Sequence, residues 1–336
     1  MDPESLDGIG RADHGSSDDP DLLDFSANTN PEVPAGVEDI YADTFEPSRS
    51  YPPEPPDAYR REAAEYLDCE PTQVVPTPGG LAAIRLAIQT TVRAGEQVLV
   101  PAPSFSEYAR EVRIQGAKPV FEPAGDLLAA DVTEATLAVV CNPNNPTGEA
   151  YDVDALRSFV ARCREADTTV LADEAFLGFT EQDSLAGTDG VIVARSLTKL
   201  FGLPGLRAGF AVATGRHRGR LLAARRPWNV DTPARAVGTY CMQQHEFIRR
   251  TRQRVRSERT RLQSALTNRF EVRASDAPFL LVDVGDRDVA ALVRVLEDRG
   301  IAVRDATTFR GLESHLRVAV RLPEENDRLL AALSDV

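Results

Sequence analysis

The sequence predicts an α/β protein in which a mostly parallel, doubly wound sheet is followed by a smaller α+β domain. Three observations predict this class. Short apolar runs alternate with helical segments between about residues 57 and 213, which is typical of parallel strands covered by helices on both faces. Polar turns rich in glycine and proline follow several of these runs directly. A long helical segment then leads to a second group of strands and helices.

The strands of the larger domain are predicted from short runs rich in β-branched residues. They are expected at residues 73–75, 98–100, 119–121, 137–141, 169–172, 191–194 and 209–213. Residues 232–268 are predicted as one helical bridge, and the strands of the smaller domain are expected at 279–284, 301–304 and 316–321. We therefore divide the chain into an N-terminal arm (1–45), a large ligand-binding domain (46–231) and a connecting helix with a small domain (232–336).

Composition limits the classes of partner. The 336 residues carry 52 acidic and 38 basic side chains, a formal net charge of −14, which disfavours nucleic acid or an anionic membrane as a general partner. The arginines between positions 249 and 261 are interpreted as the solvated face of a helix. An acid-rich, lysine-poor composition is typical of proteins from a high-salt cytoplasm.

The chain shows no signal for export or membrane insertion. Its start lacks the basic and apolar regions of a signal peptide, and no apolar run approaches the ~18 residues that a spanning helix needs. The four cysteines have neither metal-site nor disulfide-framework spacing. We therefore expect a cytoplasmic protein with free thiols and no metal site.

The stretch from Val191 to Phe210 gives the first indication of chemistry. An apolar run leads to Lys199, and Arg207 follows eight residues later. Of the 38 basic residues only two are lysines, Lys118 and Lys199, so the other 36 are arginines. A buried lysine can lose its proton and act as a nucleophile, whereas arginine cannot. On this stretch alone, a nucleophilic lysine and an ordinary surface lysine are equally good interpretations.

Three polar clusters follow predicted strands, and the carboxyl ends of such strands are where doubly wound sheets bind ligands. The clusters are Asn142-Pro-Asn-Asn-Pro-Thr-Gly148, Asp173-Glu-Ala-Phe176 and Ser196-Leu-Thr-Lys199. An amine, a carboxylate, an arginine with hydroxyls and a glycine turn before a helix together suit pyridoxal 5′-phosphate. Its aldehyde takes an amine, its pyridine nitrogen takes an anion, and its phosphate suits helix N-terminal amides.

These motifs, in this order and spacing, resemble those of fold-type I pyridoxal-phosphate enzymes of the class I/II aminotransferase superfamily, from about Asp24 to the C-terminus. The resemblance implies that Lys199 forms a Schiff base with the cofactor and that Asp173 pairs with the pyridine nitrogen. The other implied cofactor contacts are Asn145 to the ring's O3′, Tyr108 stacked on the ring, and Ser196, Arg207 and the amides of Gly79, Gly80 and Leu81 to the phosphate.

Two details qualify this set of contacts. A core aromatic residue is the alternative interpretation of Tyr108. The turn Thr77-Pro-Gly-Gly80 lacks a hydroxyl that is common later in this loop, so the amides and Arg207 must supply more of the phosphate binding. The resemblance also implies a homodimer in which Tyr51 reaches the phosphate bound by the other subunit.

Two subfamilies compete for the reaction: L-threonine O-3-phosphate decarboxylase of cobalamin biosynthesis and histidinol-phosphate aminotransferase. The segment Leu22-Leu-Asp-Phe-Ser-Ala-Asn-Thr-Asn-Pro31 resembles the opening of the decarboxylases. His14-Gly15 resembles their N-terminal His-Gly-Gly, with Ser16 in place of the second glycine. Phe176 occupies the place where the aminotransferases usually carry a tyrosine.

Two further motifs resemble the decarboxylases. These are Arg226-Pro-Trp-Asn-Val230 and Arg317-Val-Ala-Val-Arg321, and the second of them carries an arginine where the aminotransferases tend to have a small residue. We therefore predict decarboxylation of L-threonine O-3-phosphate, with the aminotransferase reaction as the alternative.

Decarboxylation requires the substrate's carboxylate to be held out of the ring plane and its phosphate to be fixed. The resemblance implies Arg317 for the carboxylate, while Arg321, His14 and Asn28 are candidates for the phosphate. Strand alternation would place Arg317 and Arg321 on one face, about 13 Å apart. A solvent-facing strand residue is the alternative for Arg321, and a flexible tail is the alternative for His14.

Two other classes of function fit the sequence less well. An inactive pyridoxal-phosphate fold that only binds or regulates is opposed by the presence of Lys199, Asp173 and Arg207. A dinucleotide-binding oxidoreductase would need a GxGxxG turn between a strand and a helix, and the sequence has none.

Overall fold

The computed structural model describes residues 2–11 and 15–334. The strands in these ranges are Leu23–Asp24 (β1), Val74–Thr77 (β2), Gln97–Ala102 (β3), Lys118–Pro123 (β4), Ala135–Cys141 (β5), Thr169–Asp173 (β6), Val191–Ser196 (β7), Gly209–Ala213 (β8), Glu271–Val272 (β9), Phe279–Asp283 (β10), Ile301–Ala302 (β11), Arg304–Asp305 (β12) and His315–Ala319 (β13). The α-helices are Val37–Ala42 (α1), Asp57–Leu67 (α2), Gly80–Thr91 (α3), Glu107–Ile114 (α4), Val153–Glu165 (α5), Gly215–Ala224 (α6), Thr232–Met242 (α7), His245–Leu266 (α8), Val289–Asp298 (α9) and Pro323–Ser334 (α10).

The larger sheet has seven strands in the order β2-β8-β7-β6-β5-β3-β4. Every pairing in it is parallel except the two made by β8. The predicted fold class, a mostly parallel sheet wound with helices, is therefore confirmed. The register sets Cys141 of β5 opposite Asp173 of β6, so the polar segments that follow β5, β6 and β7 begin side by side.

Helices bury both faces of this sheet. Along β5, Leu137, Val139 and Cys141 join an apolar cluster with α3 and α4, while Ala138 and Val140 join the larger cluster on the other face. Strands buried on both faces read as continuous apolar runs, which is why the sequence located them so closely. The proposed division at residues 45 and 231 stays a prediction.

The smaller four-stranded sheet has the order β12-β13-β10-β9. The strand predicted at 301–304 is wrong in detail, because β11 pairs with β1 while β12 pairs with β13. The strand predicted at 316–321 ends at Ala319. Beyond it, the Arg321 N–H donates to the Asn326 side chain (3.0 Å) at the start of α10, which takes the backbone out of the ladder.

The helical bridge predicted at 232–268 is two helices, α7 and α8, because Gln244 leaves helical geometry at ψ 59°. The interpretation of the α8 arginines as a solvated face holds for the exposed Arg249. It is wrong for Arg252, Arg254 and Arg259, which donate to backbone oxygens of other segments at 2.9–3.2 Å. Among residues 2–11 and 15–334, no helix is both long and apolar enough to span a bilayer.

Candidate active site

A cavity of about 580 Å³ lies at the carboxyl ends of β5, β6 and β7. It brings together most of the residues that the sequence singled out. Its lining includes Asn28, Gly80, Leu81, Tyr108, Asn145, Asp173, Ser196, Lys199, Arg207 and Arg317.

Lys199 lies in this cavity on the tight turn after β7. The turn is closed by hydrogen bonds from Phe201 N to Leu197 O (3.3 Å) and from Asn30 N to Lys199 O (2.9 Å). Burial lowers the pKa of the Lys199 amine to about 8, and the charges of Arg317 and Arg207 lower it in the same direction. A much larger fraction of this amine is therefore neutral near physiological pH than of an ordinary lysine, and the neutral amine is the form that acts as a nucleophile.

Asp173 ends β6 and is buried, with 5% of its surface exposed. Its Oδ1 accepts from the Ala175 N–H (3.0 Å) and its Oδ2 accepts from the Tyr108 hydroxyl (2.5 Å). Burial raises the pKa of Asp173, although both hydrogen bonds oppose that shift. A buried carboxylate of this kind needs a cationic partner, and a protonated pyridine nitrogen would supply one.

The turn before α3 forms a cup for an anion. Gly79 adopts a φ of +87°, and a Cβ on it would lie 2.7 Å from Arg207 Nη2, so only glycine permits this approach. The Gly79 N–H donates to Thr77 O (2.8 Å), so its predicted amide contact with the phosphate is wrong. The amides of Gly80 and Leu81, at the N-terminus of α3, have no acceptor within the described chain.

Hydroxyl groups complete this cup. Ser196 Oγ and Thr198 Oγ1 are hydrogen-bonded to each other (2.9 Å), and both residues line the cavity. Thr198 was not assigned a role from the sequence, although it lies between the two assigned residues Ser196 and Lys199. It offers the hydroxyl that the turn Thr77-Pro-Gly-Gly80 lacks.

Asn145 lines the cavity and is hydrogen-bonded to Arg317. Its Oδ1 accepts from Arg317 Nη1 (2.5 Å), and its Nδ2 group donates to no acceptor in the part of the chain that the structure describes. That free donor fits the predicted contact with the ring's O3′. Arg317 also donates to Ser26 O (2.8 Å), and its Nε is buried without a protein acceptor among the described residues.

A second arginine, Arg304, lies beside Arg317 in the cavity. The two residues are direct partners across β12 and β13, and both guanidinium groups lie near the ring of Phe309, at 5.7 and 5.8 Å from its centre. Sequence reasoning missed Arg304, because only the partner change between β11 and β12 turns it toward the cavity.

Arg321 does not line this cavity. Its guanidinium group donates to both carboxylate oxygens of Glu325 (2.9 and 3.1 Å) and to Asp24 O (3.0 Å). The predicted role in substrate binding fails because β13 ends at Ala319, before the alternation reaches position 321. The contacts of Arg321 instead join α10 to β1.

The N-terminal arm reaches the same cavity. Gly15 lines it, and a Cβ there would lie 2.5 Å from Ser26 O and 3.1 Å from Arg317 Nη2. Asn28 also lines it, and its Oδ1 is buried without a hydrogen-bond partner in the described ranges. His14 lies outside the described residues. Tyr51 is 81% exposed and outside the cavity, so its predicted contact across a dimer stays a prediction.

These groups fit pyridoxal 5′-phosphate on chemical grounds. Lys199 would hold the aldehyde and Asp173 the ring nitrogen. Asn145 would donate to O3′, and the cup of Arg207, Ser196, Thr198 and the α3 amides would hold the phosphate.

The chain is similar in sequence to proteins of two kinds. Histidinol-phosphate aminotransferase 1 of Archaeoglobus fulgidus is 29% identical over 322 residues, which cover 94% of this chain and 99% of the relative. A Caldanaerobacter subterraneus protein named "Putative threonine-phosphate decarboxylase" is 31% identical over 297 residues, covering 82% of this chain and 80% of the relative. Histidinol-phosphate aminotransferases are the more numerous among the relatives compared.

Solved structures share the fold. The L-threonine-O-3-phosphate decarboxylase of Porphyromonas gingivalis superposes with a TM-score of 0.85 at 24% identity, over 93% of this chain and 98% of that one. Histidinol-phosphate aminotransferase of Sinorhizobium meliloti, in complex with pyridoxal-5′-phosphate, superposes with a TM-score of 0.80 at 22% identity, over 92% and 89%. At these identities the likeness establishes the fold type and not the substrate.

The family model for aminotransferases of class I and II matches residues 20–333, nearly the whole chain. The matched range contains Lys199 and Asp173, the two residues predicted to hold the cofactor's aldehyde and ring nitrogen. The chain therefore belongs to the pyridoxal-phosphate-dependent aminotransferase class I and II family.

Proposed function

We propose that this enzyme decarboxylates L-threonine O-3-phosphate to 1-amino-2-propanol phosphate, a reaction of cobalamin biosynthesis. The observation that carries the proposal is the pairing of Arg304 with Arg317 across β12 and β13 at the cavity. Directly opposite residues of antiparallel strands have Cα atoms only ~4.5–5.5 Å apart. The two guanidinium groups can therefore bind anions that are a few bonds apart. This substrate carries its carboxylate on Cα and its phosphate on the adjacent Cβ oxygen.

The roles of the residues follow from that placement. When bound, pyridoxal phosphate supplies an aldehyde for the substrate's amine and a ring that accepts an electron pair from a bond on Cα. Arg317 would bind the substrate's carboxylate and so fix the orientation of the bond from Cα to that group. Arg304 and Asn28 would hold the phosphate. Lys199, whose amine has a pKa lowered to about 8 by burial, would return a proton to Cα from its ammonium form.

Histidinol-phosphate aminotransferase is the second candidate, because it is the commoner name among the relatives. Histidinol phosphate carries one anion and an imidazole, so only one of the paired arginines would have an anionic partner. A dicarboxylate amino acceptor such as 2-oxoglutarate would engage both. The arginine pair therefore fits one substrate of each reaction. The N-terminal arm narrows the cavity beside the pair, because a Cβ on Gly15 would lie 3.1 Å from Arg317 Nη2 and 3.3 Å from Arg304 Cδ, and this favours L-threonine O-3-phosphate as the smaller phosphorylated substrate.

We also propose a homodimer as the working form. Phe45 and Tyr51 are 76% and 81% exposed, and the rings of Tyr51 and Trp228 lie 4.6 Å apart at the surface. A second copy of the chain would cover these aromatic side chains and bring Tyr51 to the other subunit's cofactor phosphate. Sedimentation of the holoenzyme as a monomer would contradict this.

The reaction is tested by giving the holoenzyme L-threonine O-phosphate and measuring released CO₂ and the phosphorylated amino alcohol. Histidinol phosphate with 2-oxoglutarate is assayed in parallel for glutamate. We expect CO₂ from the first substrate and little or no glutamate from the second pair. Transamination of histidinol phosphate without CO₂ release from threonine phosphate would establish the second candidate instead.

Arg304 and Arg321 should respond differently to substitution by glutamine. Arg304→Gln is expected to raise KM for the phosphorylated substrate by about 10-fold or more, since a hydrogen bond to a charged group contributes about 1.5–3 kcal/mol. Arg321→Gln should leave KM nearly unchanged and lower the free energy of unfolding by about 1–3 kcal/mol, because it breaks the contacts with Glu325 and Asp24. Steady-state kinetics and denaturant unfolding of both variants measure this, and the reverse pattern would restore Arg321 as the substrate ligand.

A further inference from the structure

The hydroxyl of Tyr108 has no part in the roles given above. A stacking side chain needs only its ring, yet the Tyr108 hydroxyl donates to Asp173 Oδ2 over 2.5 Å. Tyr108 is fully buried and Asp173 is 5% exposed. Since Oδ1 accepts from the Ala175 N–H, the protein itself donates one hydrogen bond to each oxygen of this carboxylate.

Two other titratable groups face Asp173, and neither competes strongly with Tyr108 for its carboxylate. Cys141, its partner across β5 and β6, carries a thiol whose pKa burial raises to about 12, so this thiol is uncharged. The positive charge of Arg195, on β7, acts to lower the pKa of Asp173. The Arg195 guanidinium group is itself ion-paired with the Glu174 carboxylate at 3.1 Å. Burial and the charge of Asp173 raise the pKa of the Tyr108 phenol well above its usual range. The phenol therefore keeps its proton and remains a donor.

The position of the Tyr108 ring is also fixed. Tyr108 lies in the first turn of α4, and its N–H donates to Phe105 O (3.2 Å). The two rings meet edge to face, with centres 5.5 Å apart and planes at 84°. With no exposed surface and this neighbour, the ring has little freedom to turn its hydroxyl away from the carboxylate.

We propose that Tyr108 is a positioning residue that keeps the proton shared by Asp173 and the cofactor on the cofactor's ring nitrogen. A hydrogen bond donated to a carboxylate stabilises its charged form and so weakens its affinity for a proton. In this dry site, Asp173 without that bond would compete for the proton and leave the ring neutral. A neutral ring is a poorer electron acceptor. Both candidate reactions need the protonated ring, so the inference does not depend on which substrate is correct.

The test uses holoenzyme loaded with pyridoxal phosphate that carries ¹⁵N at the ring nitrogen. Protonated and unprotonated pyridine nitrogens have well-separated ¹⁵N resonances. Tyr108→Phe keeps the ring and removes only the hydroxyl, and we expect its ¹⁵N signal to move from the protonated toward the unprotonated position at the same pH. An unchanged signal would overturn the proposal.

A matched control is Tyr151→Phe, which removes a different, partly buried hydroxyl that donates to Ala124 O (2.9 Å). Its ¹⁵N signal should stay at the wild-type position, and an equal displacement would show a general effect of losing a buried phenol.

A second variant tests the proposal even if Tyr108→Phe folds poorly. Fluorotyrosine placed at position 108 keeps the ring shape and has a more acidic phenol, which is a stronger donor. The shared proton should then lie on the ring nitrogen at least as fully as in the wild type, so the ¹⁵N signal at the same pH should stay at the protonated position or move further toward it. A signal that moves toward the unprotonated position, as expected for Tyr108→Phe, would reject the proposal.

Discussion

Replacing Lys199 with arginine is expected to abolish the covalent link to pyridoxal phosphate and to lower turnover by at least about 10²- to 10⁴-fold. That is the range typical of a single positioned proton-transfer group, and Lys199 would also provide the amine. Arginine keeps the positive charge but cannot act as a nucleophile. Borohydride reduction of the holoenzyme, followed by mass spectrometry, should find one pyridoxyl group on the wild type and none on the variant.

The chain contains its own control for this experiment. Lys118 is the only other lysine and lies exposed at the start of β4. Lys118→Arg should keep both the covalent link and the turnover of the wild type. Loss of the link in Lys118→Arg, or its persistence in Lys199→Arg, would contradict the assignment of Lys199.

The pH dependence of cofactor uptake follows from the same residue. Only the neutral amine attacks an aldehyde, and burial together with Arg317 and Arg207 lowers the pKa of Lys199 to about 8. The neutral fraction should therefore rise from about a tenth at pH 7 to about nine tenths at pH 9. The rate constant for cofactor uptake by the apoprotein should rise over this interval and then level off. Arg317→Gln removes a positive neighbour and should displace the midpoint to higher pH.

The residues proposed to hold the cofactor could be brought together from sequence, because they lie at the ends of strands that local apolar runs predict. Asp173 and Ser196 are the last residues of β6 and β7, and apolar runs mark those strands clearly. The adjacent register of β5, β6 and β7 then brings the three clusters together without any further information. The amide of Gly79 is the exception, because the local turn directs it to Thr77 O.

The candidate substrate residues depend on contacts between distant segments, and there the sequence misplaced Arg321 and missed Arg304. Nothing local shows that β11 pairs with β1 while β12, two residues later, pairs with β13. This change of partner sets Arg304 beside Arg317. Similarly, the alternation that led to Arg321 assumed that a strand continues, whereas the Asn326 side chain captures the backbone there. Periodicity describes one segment, and a substrate site is made by several.

Asp173→Asn is expected to lower turnover by up to about 10³-fold while the link at Lys199 survives. Two unit charges ~4 Å apart interact by about 4 kcal/mol at an effective dielectric near 20, and ~1.4 kcal/mol corresponds to a factor of ten in rate. Asparagine has the same shape and can still accept from the Ala175 N–H. Since burial raises the pKa of Asp173, the ionised carboxylate destabilises the folded apoprotein at neutral pH. The variant apoprotein should therefore unfold at the same or a higher temperature than the wild type.

The next residue in the chain provides the contrast that makes this prediction decisive. Glu174 is also a buried carboxylate, but it points to the other side of β6 and binds Arg195 (3.1 Å), Ser184 and the Leu185 N–H. Glu174→Gln breaks a buried pair and should lower the free energy of unfolding by about 3–5 kcal/mol, with turnover per bound cofactor little changed. Two adjacent acids thus separate stability from catalysis. If Asp173→Asn instead loses stability as Glu174→Gln does, Asp173 supports the fold and the ring nitrogen has another partner.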